Sequence, residues 1–463
     1  SDLDRDLYNE WQIGVIETWD RVVIKEYIKD ILDYDVNDTL GTCELFYFLL
    51  EDIKLRFEIG EEYGINVLSA SNSKIGDIFF RKFYTEATNI PINVFLKNRT
   101  YRNLIKLSDC VYSSVTFRTS SFKKLLIDVK SRVVTGTTGL EIQFKPNDVT
   151  YSIGSGGLHS VDYPGIFKST EETYIRDADV RGYYSNLILN GKVKPKHLSD
   201  VFFDVFQTIV DDREEAKIKD YKTKAAVLKI TSLGVYGKFN FEYGPLFDTK
   251  CTLQVTITGQ LQLLMLIERL TIGNFRVISA NTDGIVTEIP FDKEAEYYNI
   301  CKQWEKDVKL NLEYTDYPLY VRKDVNNYFT VKDLTDPFNN NNIKAKGQLD
   351  EFLRIADPKL TKGFNMPIVA HAIQKYFISN IPIMNTLKAC KDIYDFCITT
   401  NIGAKFHLEL NTIIDRQVVI EQIQRSTRFY VSTNGGTLYK AVTFGGKTSN
   451  MSSGNKVTIF NQY

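Results

Sequence analysis

The stretch YIRDADVRGYYSNLIL, residues 174–189, changes from one local pattern to another near its middle. Residues 174–180 predict a strand, and residues 182–189 predict the start of a helix. Asp179 therefore lies at the carboxyl end of a strand, a position where ligands commonly bind in α/β sheets. A carboxylate in a cleft is costly unless a cation or a hydrogen-bond donor meets it. The alternative is that Asp179 only caps the following helix.

A second stretch, VISANTDGIVTEI at 277–289, predicts a β-hairpin. Asp283-Gly284 lies between two apolar strands, which is a strong hairpin signal. The side chain of Asp283 is then accessible at the tip. The alternative is that this aspartate serves only the backbone conformation of the turn.

Between these two acids, residues 199–240 predict an antiparallel helix pair with a polar link near Asp220. Arg213 and Lys217 are four residues apart and share a face of the first helix. Alternatively, both are solvated and pair with Asp212 and Glu214, an arrangement that contributes little.

The second helix of the pair carries Lys229 and Tyr236 on one face, with Gly237 following. Cations and an aromatic ring that face one groove can hold a triphosphate and a base. The order strand-aspartate, cationic helix pair, hairpin-aspartate is the layout that phosphoryl transfer needs. Two carboxylates hold two divalent ions roughly 4 Å apart, cations neutralise the leaving pyrophosphate, and Mg²⁺ prefers such oxygen ligands.

Composition sets wider limits. A chain of 463 residues predicts two to four structural units. The 57 Lys and Arg against 58 Asp and Glu argue mildly against a nucleic-acid binder, without excluding a local basic groove.

Six Cys without a CxxC and four His disfavour a zinc site and suit a reducing compartment. The sequence shows neither an apolar run of the ~20 residues that a membrane span needs nor a signal-peptide pattern, which predicts a cytoplasmic protein.

Taken together, these residues resemble the family B DNA polymerases, most closely the phage branch. Motif A of that family, Asp-x-x-Ser-Leu-Tyr-Pro-Ser, corresponds to residues 179–186, DVRGYYSN. Motif B, Lys-x-x-x-Asn-Ser-x-Tyr-Gly, corresponds to residues 229–237, KITSLGVYG. Motif C, Asp-Thr-Asp-Ser, corresponds to residues 281–284, NTDG. The resemblance covers about 150–350 well and extends more loosely to 435.

The resemblance implies a role for each matching position. Asp179 and Asp283 would be catalytic and bind two Mg²⁺ ions, with the Val180 carbonyl as a further ligand and Mn²⁺ as a substitute. Tyr184 would be the steric gate that excludes a 2′-hydroxyl. The implied nucleotide-binding residues are Arg213, Lys217, Lys229, Tyr183, Tyr184, Tyr236 and Gly237. The implied DNA-binding residues are Gly156, Gly157, Lys323, Tyr328, Lys344 and Lys346. The partners would be primer-template DNA and dNTPs, with no membrane.

The implied fold is α+β, a right-hand polymerase with an antiparallel palm sheet, helical fingers and a thumb. The expected boundaries are a helical remnant of an exonuclease-type domain at 1–58, an N-terminal or linker region at 59–150, palm at 151–198, fingers at 199–241, palm at 242–347, and thumb with C-terminal region at 348–463. The 49 residues between Asp179 and Lys229 leave no room for the insertion of protein-primed members, which predicts a conventional primer terminus.

The N-terminal segment resembles only the last motif of the family's 3′–5′ exonuclease, at residues 34–38. We therefore expect no proofreading in this chain, and Asp38 would be vestigial unless a separate exonuclease chain supplies the rest. The alternative for Asp38 is a helix cap. Other replication proteins are possible partners, and a phage-encoded chain would work in the host cytoplasm.

Several positions depart from the family pattern. Leu233 replaces the motif B Asn, Asn281 replaces the first motif C Asp, and Ser185-Asn186 replaces Pro-Ser. The Lys of the family's Lys-x-Tyr segment is replaced by Asn326, although Lys323 is near in sequence. Two other functions stay open: a primase-like or RNA polymerase on the same palm, and a catalytically decayed palm that only binds DNA.

Overall fold

The computed structural model describes residues 21–146, 149–161, 163–339, 341–350, 366–442 and 446–460. The helix that the sequence predicts at LYNEWQIGVIETW lies outside these residues, as do 351–365 of the predicted thumb region. The described helices are α1 Arg21–Phe48, α2 Leu50–Tyr63, α3 Asn72–Thr88, α4 Ile92–Phe95, α5 Ser120–Ser131, α6 Tyr183–Asn190, α7 Val201–Ile218, α8 Lys222–Lys238, α9 Thr249–Ile272, α10 Glu294–Val308, α11 Pro367–Ser379 and α12 Ile383–Ala389.

Strands occupy the middle and the C-terminal part of the described chain. They are β1 Ile105–Lys106, β2 Val133–Val134, β3 Glu141–Phe144, β4 Thr150–Gly154, β5 Leu158–Val161, β6 Gly165–Lys168, β7 Thr173–Val180, β8 Arg276–Thr282, β9 Gly284–Pro290, β10 Leu312–Tyr317, β11 Leu319–Asp324, β12 Asn327–Val331, β13 Ile343–Lys346, β14 Ile398–Asn401, β15 Phe406–Ile414, β16 Gln417–Ile423, β17 Ser426–Val442, β18 Thr448–Asn450 and β19 Val457–Ile459. The chain is therefore a mixed α+β protein.

The largest sheet is antiparallel and has seven strands, in the order β10-β7-β9-β8-β5-β4-β3. Helix α9 packs against β4, β8 and β9 and is buried along most of its length. Its buried polar side chains have partners: Gln260 donates to the Gly154 and Gly156 carbonyls, and Glu268 accepts from the Arg118 and Thr119 amides. These bonds offset the cost of burying polar groups.

A four-stranded antiparallel sheet, in the order β13-β12-β11-β6, packs beside the larger one. Tyr320 of β11 forms a buried cluster with Ile175 of β7, Ile278 of β8 and Val286 of β9. Because this cluster joins the two sheets, it brings β13 near the end of β7. The candidate active site depends on the closeness of β13 to the end of β7.

Besides the short β1–β2 pair, the C-terminal region forms another antiparallel sheet, in the order β14-β17-β15-β16, with β18 and β19 also paired to β17. Its core contains Leu408, Phe429, Leu438 and Val457. The short final strands match the sequence pattern of the C-terminal region.

Two compact units are distinguished within the described residues. One contains the chain up to Phe95 together with Asp204–Val235, and the other contains Leu96–Phe203 and Tyr236 onward. The first unit has its own core, which includes Ile59, Phe79 and Val227. The functional names given to the sequence segments remain predictions.

Helix α1 runs without a break through Asp38, and Thr42 donates to the Asp38 carbonyl as in a helix interior. The interpretation of Asp38 as a helix cap is therefore wrong. Within the described ranges, no helix is both long enough and apolar enough to span a bilayer.

Candidate active site

The carboxyl end of β7 provides two acids on one face of the sheet. Asp177 and Asp179 are two residues apart, so their side chains project to the same side of the strand. Gly182 follows with φ 57°, a left-handed conformation that costs glycine little, and helix α6 begins at the next residue. The predicted strand, turn and helix at 174–189 are thus present.

The β8–β9 turn brings Asp283 to the same end of the sheet. Asp179 pairs with Gly284 across β7 and β9, and the Val180 amide donates to the Asp283 carbonyl over 2.8 Å. Asp179 and Asp283 are 104 positions apart in the sequence, yet they meet at one end of the sheet.

The turn that holds Asp283 is strained. Thr282 has φ 63°, which is rare for a β-branched residue, and the Asp283 amide donates to the Asn281 carbonyl over 2.7 Å. This i to i+2 bond at positive φ matches a γ-turn, which is an uncommon conformation. Strain of this kind persists where the surroundings fix the backbone, and it is frequent at functional sites.

Asp177 is the residue that sequence reasoning missed. Its side chain is only 8% exposed and accepts from the Tyr317 hydroxyl and the Lys344 ammonium, each over 3.1 Å. Burial and the Asp179 charge raise the pKa of Asp177 to about 6, although Lys344 and Tyr317 act against that rise. The alternation Asp177-Ala178-Asp179 was the available signal, because it puts both acids on one face of a strand.

Lys344 of β13 contacts both acids of β7. Its Nζ lies 3.1 Å from Asp177 Oδ2 and 3.7 Å from Asp179 Oδ2. Burial alone would lower the pKa of Lys344, but the two carboxylates outweigh it and raise this pKa above its ordinary value. The sequence predicted that Lys344 binds DNA, whereas the structure pairs it with the carboxylates.

A cleft of about 570 Å³ opens onto these groups. Its lining includes Asp177, Asp179, Val180, Asp283, Tyr328, Lys344 and Lys346. Burial, followed by the charge of Asp179, raises the pKa of Asp283. Burial lowers the pKa of Lys346, while Asp283 acts in the opposite direction. The cleft therefore concentrates negative charge that a cation would relieve.

The donor set suits a hard divalent ion. Asp179 and Asp283 offer carboxylate oxygens, and Val180 also lines the cleft. Carboxylate and main-chain carbonyl oxygens are ligand types that Mg²⁺ and Mn²⁺ accept. In the part of the chain that the structure describes, no three His, Cys, Asp or Glu side chains converge as a metal-binding group. Any ion here would thus be held by two acids, with the balance from the main chain, water or substrate.

Asn281 has a structural partner. Its Nδ2 donates to the Val325 carbonyl over 2.8 Å, which connects β8 to the loop between β11 and β12. The family pattern has an acid at this position, but the amide here is used to anchor the hairpin.

The two tyrosines of α6 differ in environment. Tyr184 is half-buried and stacks on Tyr236, with ring centroids 4.2 Å apart and planes 12° apart. Tyr183 is buried, and its hydroxyl donates to the Gly259 carbonyl of α9. The resemblance implied that Tyr183 binds nucleotide. Its buried ring instead packs α6 onto α9. Gly237, the residue after Tyr236, is exposed.

The glycines before β5 support the hairpin. A Cβ at Gly157 would lie 2.7 Å from Thr282 Cα, so only glycine allows this approach, while Gly156 faces open space. Tyr328 lines the cleft. Lys323 lies outside that lining and donates to Gln348 over 3.0 Å. Contact of these residues with DNA stays a prediction.

The helical cations belong to the other compact unit. Lys217 pairs with Glu214 over 2.8 Å, the surface arrangement that was the alternative interpretation of this residue. Among the described residues, the buried Arg213 Nε finds no hydrogen-bond partner, and Lys229 is exposed. Their binding of a triphosphate stays a prediction.

No protein-family model and no curated protein matches the sequence. Among solved structures, the family B DNA polymerase from the hyperthermophilic archaeon Pyrobaculum calidifontis matches with a TM-score of 0.42 and 13% identity. The match covers 96% of this chain and 54% of that one, so the chain spans about half of that polymerase's length. A similarity this low assigns no residue a role.

Proposed function

We propose that the chain is a DNA-directed DNA polymerase that extends a primer on a DNA template by using dNTPs. The observation that carries this proposal is the meeting of Asp179 and Asp283 at the rim of one cleft, tied by the Val180 to Asp283 backbone bond. Motif-like residues in the same order as in family B polymerases also support it.

In this proposal Asp179, Asp283 and the Val180 carbonyl hold two Mg²⁺ ions. Such ions, when bound, activate the attacking oxygen and stabilise charge on the phosphorus. The primer 3′-oxygen forms a bond to the α-phosphorus of the dNTP, the bond to pyrophosphate breaks, and the 3′-hydroxyl proton leaves to solvent. The carboxylates and the carbonyl orient the reacting groups, which is a large part of catalysis in phosphoryl transfer.

The remaining predicted residues would act on the substrates. Tyr184, with Tyr236 stacked on it, would close off the space beside the sugar C2′. Arg213, Lys217 and Lys229 would neutralise the triphosphate. Primer and template would be contacted by the DNA-binding set, namely Gly156, Gly157, Lys323, Tyr328, Lys344 and Lys346.

Primer extension tests the two acids directly. Asp179→Asn and Asp283→Asn keep the side-chain shape but remove the charge that holds a divalent ion. We expect each to lower the extension rate by roughly a thousandfold or more with Mg²⁺ and dNTPs. Asp292→Asn is a matched control, because Asp292 is exposed just beyond the other end of β9. Extension at the parent rate in either site variant would refute the assignment.

A catalytically decayed DNA-binding palm is the second candidate, and the structural use of Asn281 favours it. In that case the parent would bind primed DNA but would not extend it with Mg²⁺ or Mn²⁺. Extension by the parent, lost in the two aspartate variants, would exclude this candidate.

A further inference from the structure

Lys344 is held in the cleft by a buried acid and reaches an exposed one. Asp177 is 8% exposed and Asp179 is 43% exposed, although they follow each other on the same face of β7. Tyr317, itself buried, donates to the Asp177 oxygen that also receives the lysine, and the Lys344 Nζ is 3.5 Å from the Tyr317 hydroxyl. The Lys344 ammonium is thus held by Asp177 and Tyr317 and also lies close to the Asp179 carboxylate.

We propose that Lys344, positioned by Asp177 and Tyr317, is a built-in counterion of Asp179 that a divalent cation must displace from that carboxylate. This inference rests on the proposed function, since Asp179 is the acid that would take the metal. Lys344 and Asp177 are positioning residues here, because they act on the ion through Asp179.

Electrostatics sets the direction of the effect. Asp179 and Asp283 repel each other in the cleft, and the ammonium relieves part of that repulsion when no ion is bound. A positive charge 3.7 Å from a metal-binding carboxylate weakens the attraction of that carboxylate for a divalent ion. Removing the ammonium should therefore tighten metal binding, which is the opposite of what removing a metal ligand or damaging the fold does.

The anchor keeps the lysine near the site after displacement. Because the Asp177 side chain is buried, it keeps its ion pair with the Lys344 ammonium when Asp179 binds a divalent ion instead. The lysine then stays at the cleft wall, where the phosphates of a substrate would be its next anionic neighbours. This position also allows the DNA contact predicted for Lys344.

Titration with Mn²⁺ alone, without DNA or nucleotide, tests the inference by calorimetry. We expect Lys344→Met to bind Mn²⁺ roughly tenfold more tightly than the parent. Lys344→Arg keeps the charge and should stay within about threefold of the parent. Lys332→Met is a charge-matched control on an exposed lysine just after β12, and its affinity should equal that of the parent. An unchanged or weaker affinity in Lys344→Met would overturn the inference.

A second measurement uses the parent chain and needs no folding control. Acetylation of lysines by a soluble ester, mapped by mass spectrometry, reports how freely each ammonium loses its proton. We expect Mn²⁺ to raise the acetylation rate of Lys344 severalfold and to leave Lys332 unchanged. A Lys344 rate that does not respond to Mn²⁺ in a chain that binds Mn²⁺ would contradict displacement.

Asp179→Asn separates failure of this inference from failure of the proposed function. If Asp179→Asn binds Mn²⁺ as tightly as the parent, or the parent and Lys344→Met both bind none, then the metal assignment itself fails and the inference fails with it. If Asp179→Asn loses Mn²⁺ while Lys344→Met matches Lys332→Met, only the role of Lys344 is refuted.

Discussion

At the scale of single residues, the cleft shows how two identical side chains acquire different properties. Asp177 and Asp179 share a strand face, but Asp177 lies under Tyr317 and Lys344 while Asp179 reaches solvent. Burial makes the charged form of Asp177 costly and raises its pKa to about 6. The exposed Asp179 can bind a ligand from solvent, whereas the buried Asp177 holds the ammonium of Lys344.

Gly284 is the residue on which the position of Asp179 depends most directly. A Cβ at Gly284 would overlap Asp179 Oδ1 and would also crowd Asp177 Oδ1. We expect Gly284→Ala to displace the Asp179 carboxylate and lower the extension rate at least about tenfold, with a loss of roughly 1–3 kcal/mol in the free energy of unfolding. Extension assays and urea unfolding would measure both.

Gly136→Ala is the control for that substitution, because none of the described residues comes within 4 Å of a Cβ at Gly136. It should leave extension unchanged. If Gly284→Ala extends primers as fast as Gly136→Ala, then the Asp179 carboxylate does not need its present position.

At the scale of elements, the site is a junction of strand ends and one helix start. The β8–β9 turn is fixed from two sides, by the Val180 amide on β7 and by the close packing of Gly157 before β5. These contacts explain how Thr282 keeps a strained backbone. Beside them, α6 presents Tyr184 to the Tyr236 ring at the end of α8.

The Tyr184–Tyr236 stack leads to a prediction about sugar selection. If the Tyr184 ring closes the space beside C2′, Tyr184→Ala should admit ribonucleotides and reduce the preference for dNTPs by roughly a hundredfold or more, whereas Tyr184→Phe should retain it. Single-nucleotide incorporation with dNTPs and rNTPs measures the ratio. A parent that already uses both equally would favour the primase-like or RNA polymerase alternative.

At the scale of the whole molecule, the charges nearly cancel, and the cleft contains both acids and lysines. The net charge is −1, yet Lys344 and Lys346 stand together at the cleft on β13. The local field, rather than the total, decides whether an anionic polymer binds. A chain that is neutral overall, with two lysines beside the acids of its cleft, is thus compatible with DNA as a partner.

Salt dependence tests this distribution. We expect the affinity for primed DNA to fall steeply with salt, with a log–log slope of about −3 or steeper, since each phosphate contact releases counterions. Lys346→Met should make the slope shallower by about one, and Lys332→Met should not change it. Fluorescence anisotropy over a salt series measures the slopes. A flat dependence would exclude a basic groove.

Local patterns were enough to predict the strand, turn and helix at 174–189, the hairpin around Asp283 and the helix pair, because neighbouring residues determine these elements. They also put Asp179 at the end of a strand and Asp283 in the turn of a hairpin, while the role of both acids stays a prediction. The rule that ligands bind at the carboxyl ends of strands in α/β sheets does not apply here, since β7 lies in an antiparallel sheet. In this sheet the acids meet because a hairpin turn falls beside the end of β7.

The sequence by itself thus determined the strand, turn and helix at 174–189 and the hairpin that carries Asp283. Only the tertiary structure decided that Asp177 is buried, that Lys344 pairs with it, and that Tyr183 belongs to the core. Burial and ion pairing depend on side chains brought together by the packing of separate sheets and helices. Asp177 and Lys344 are 167 positions apart, and no local pattern encodes their contact.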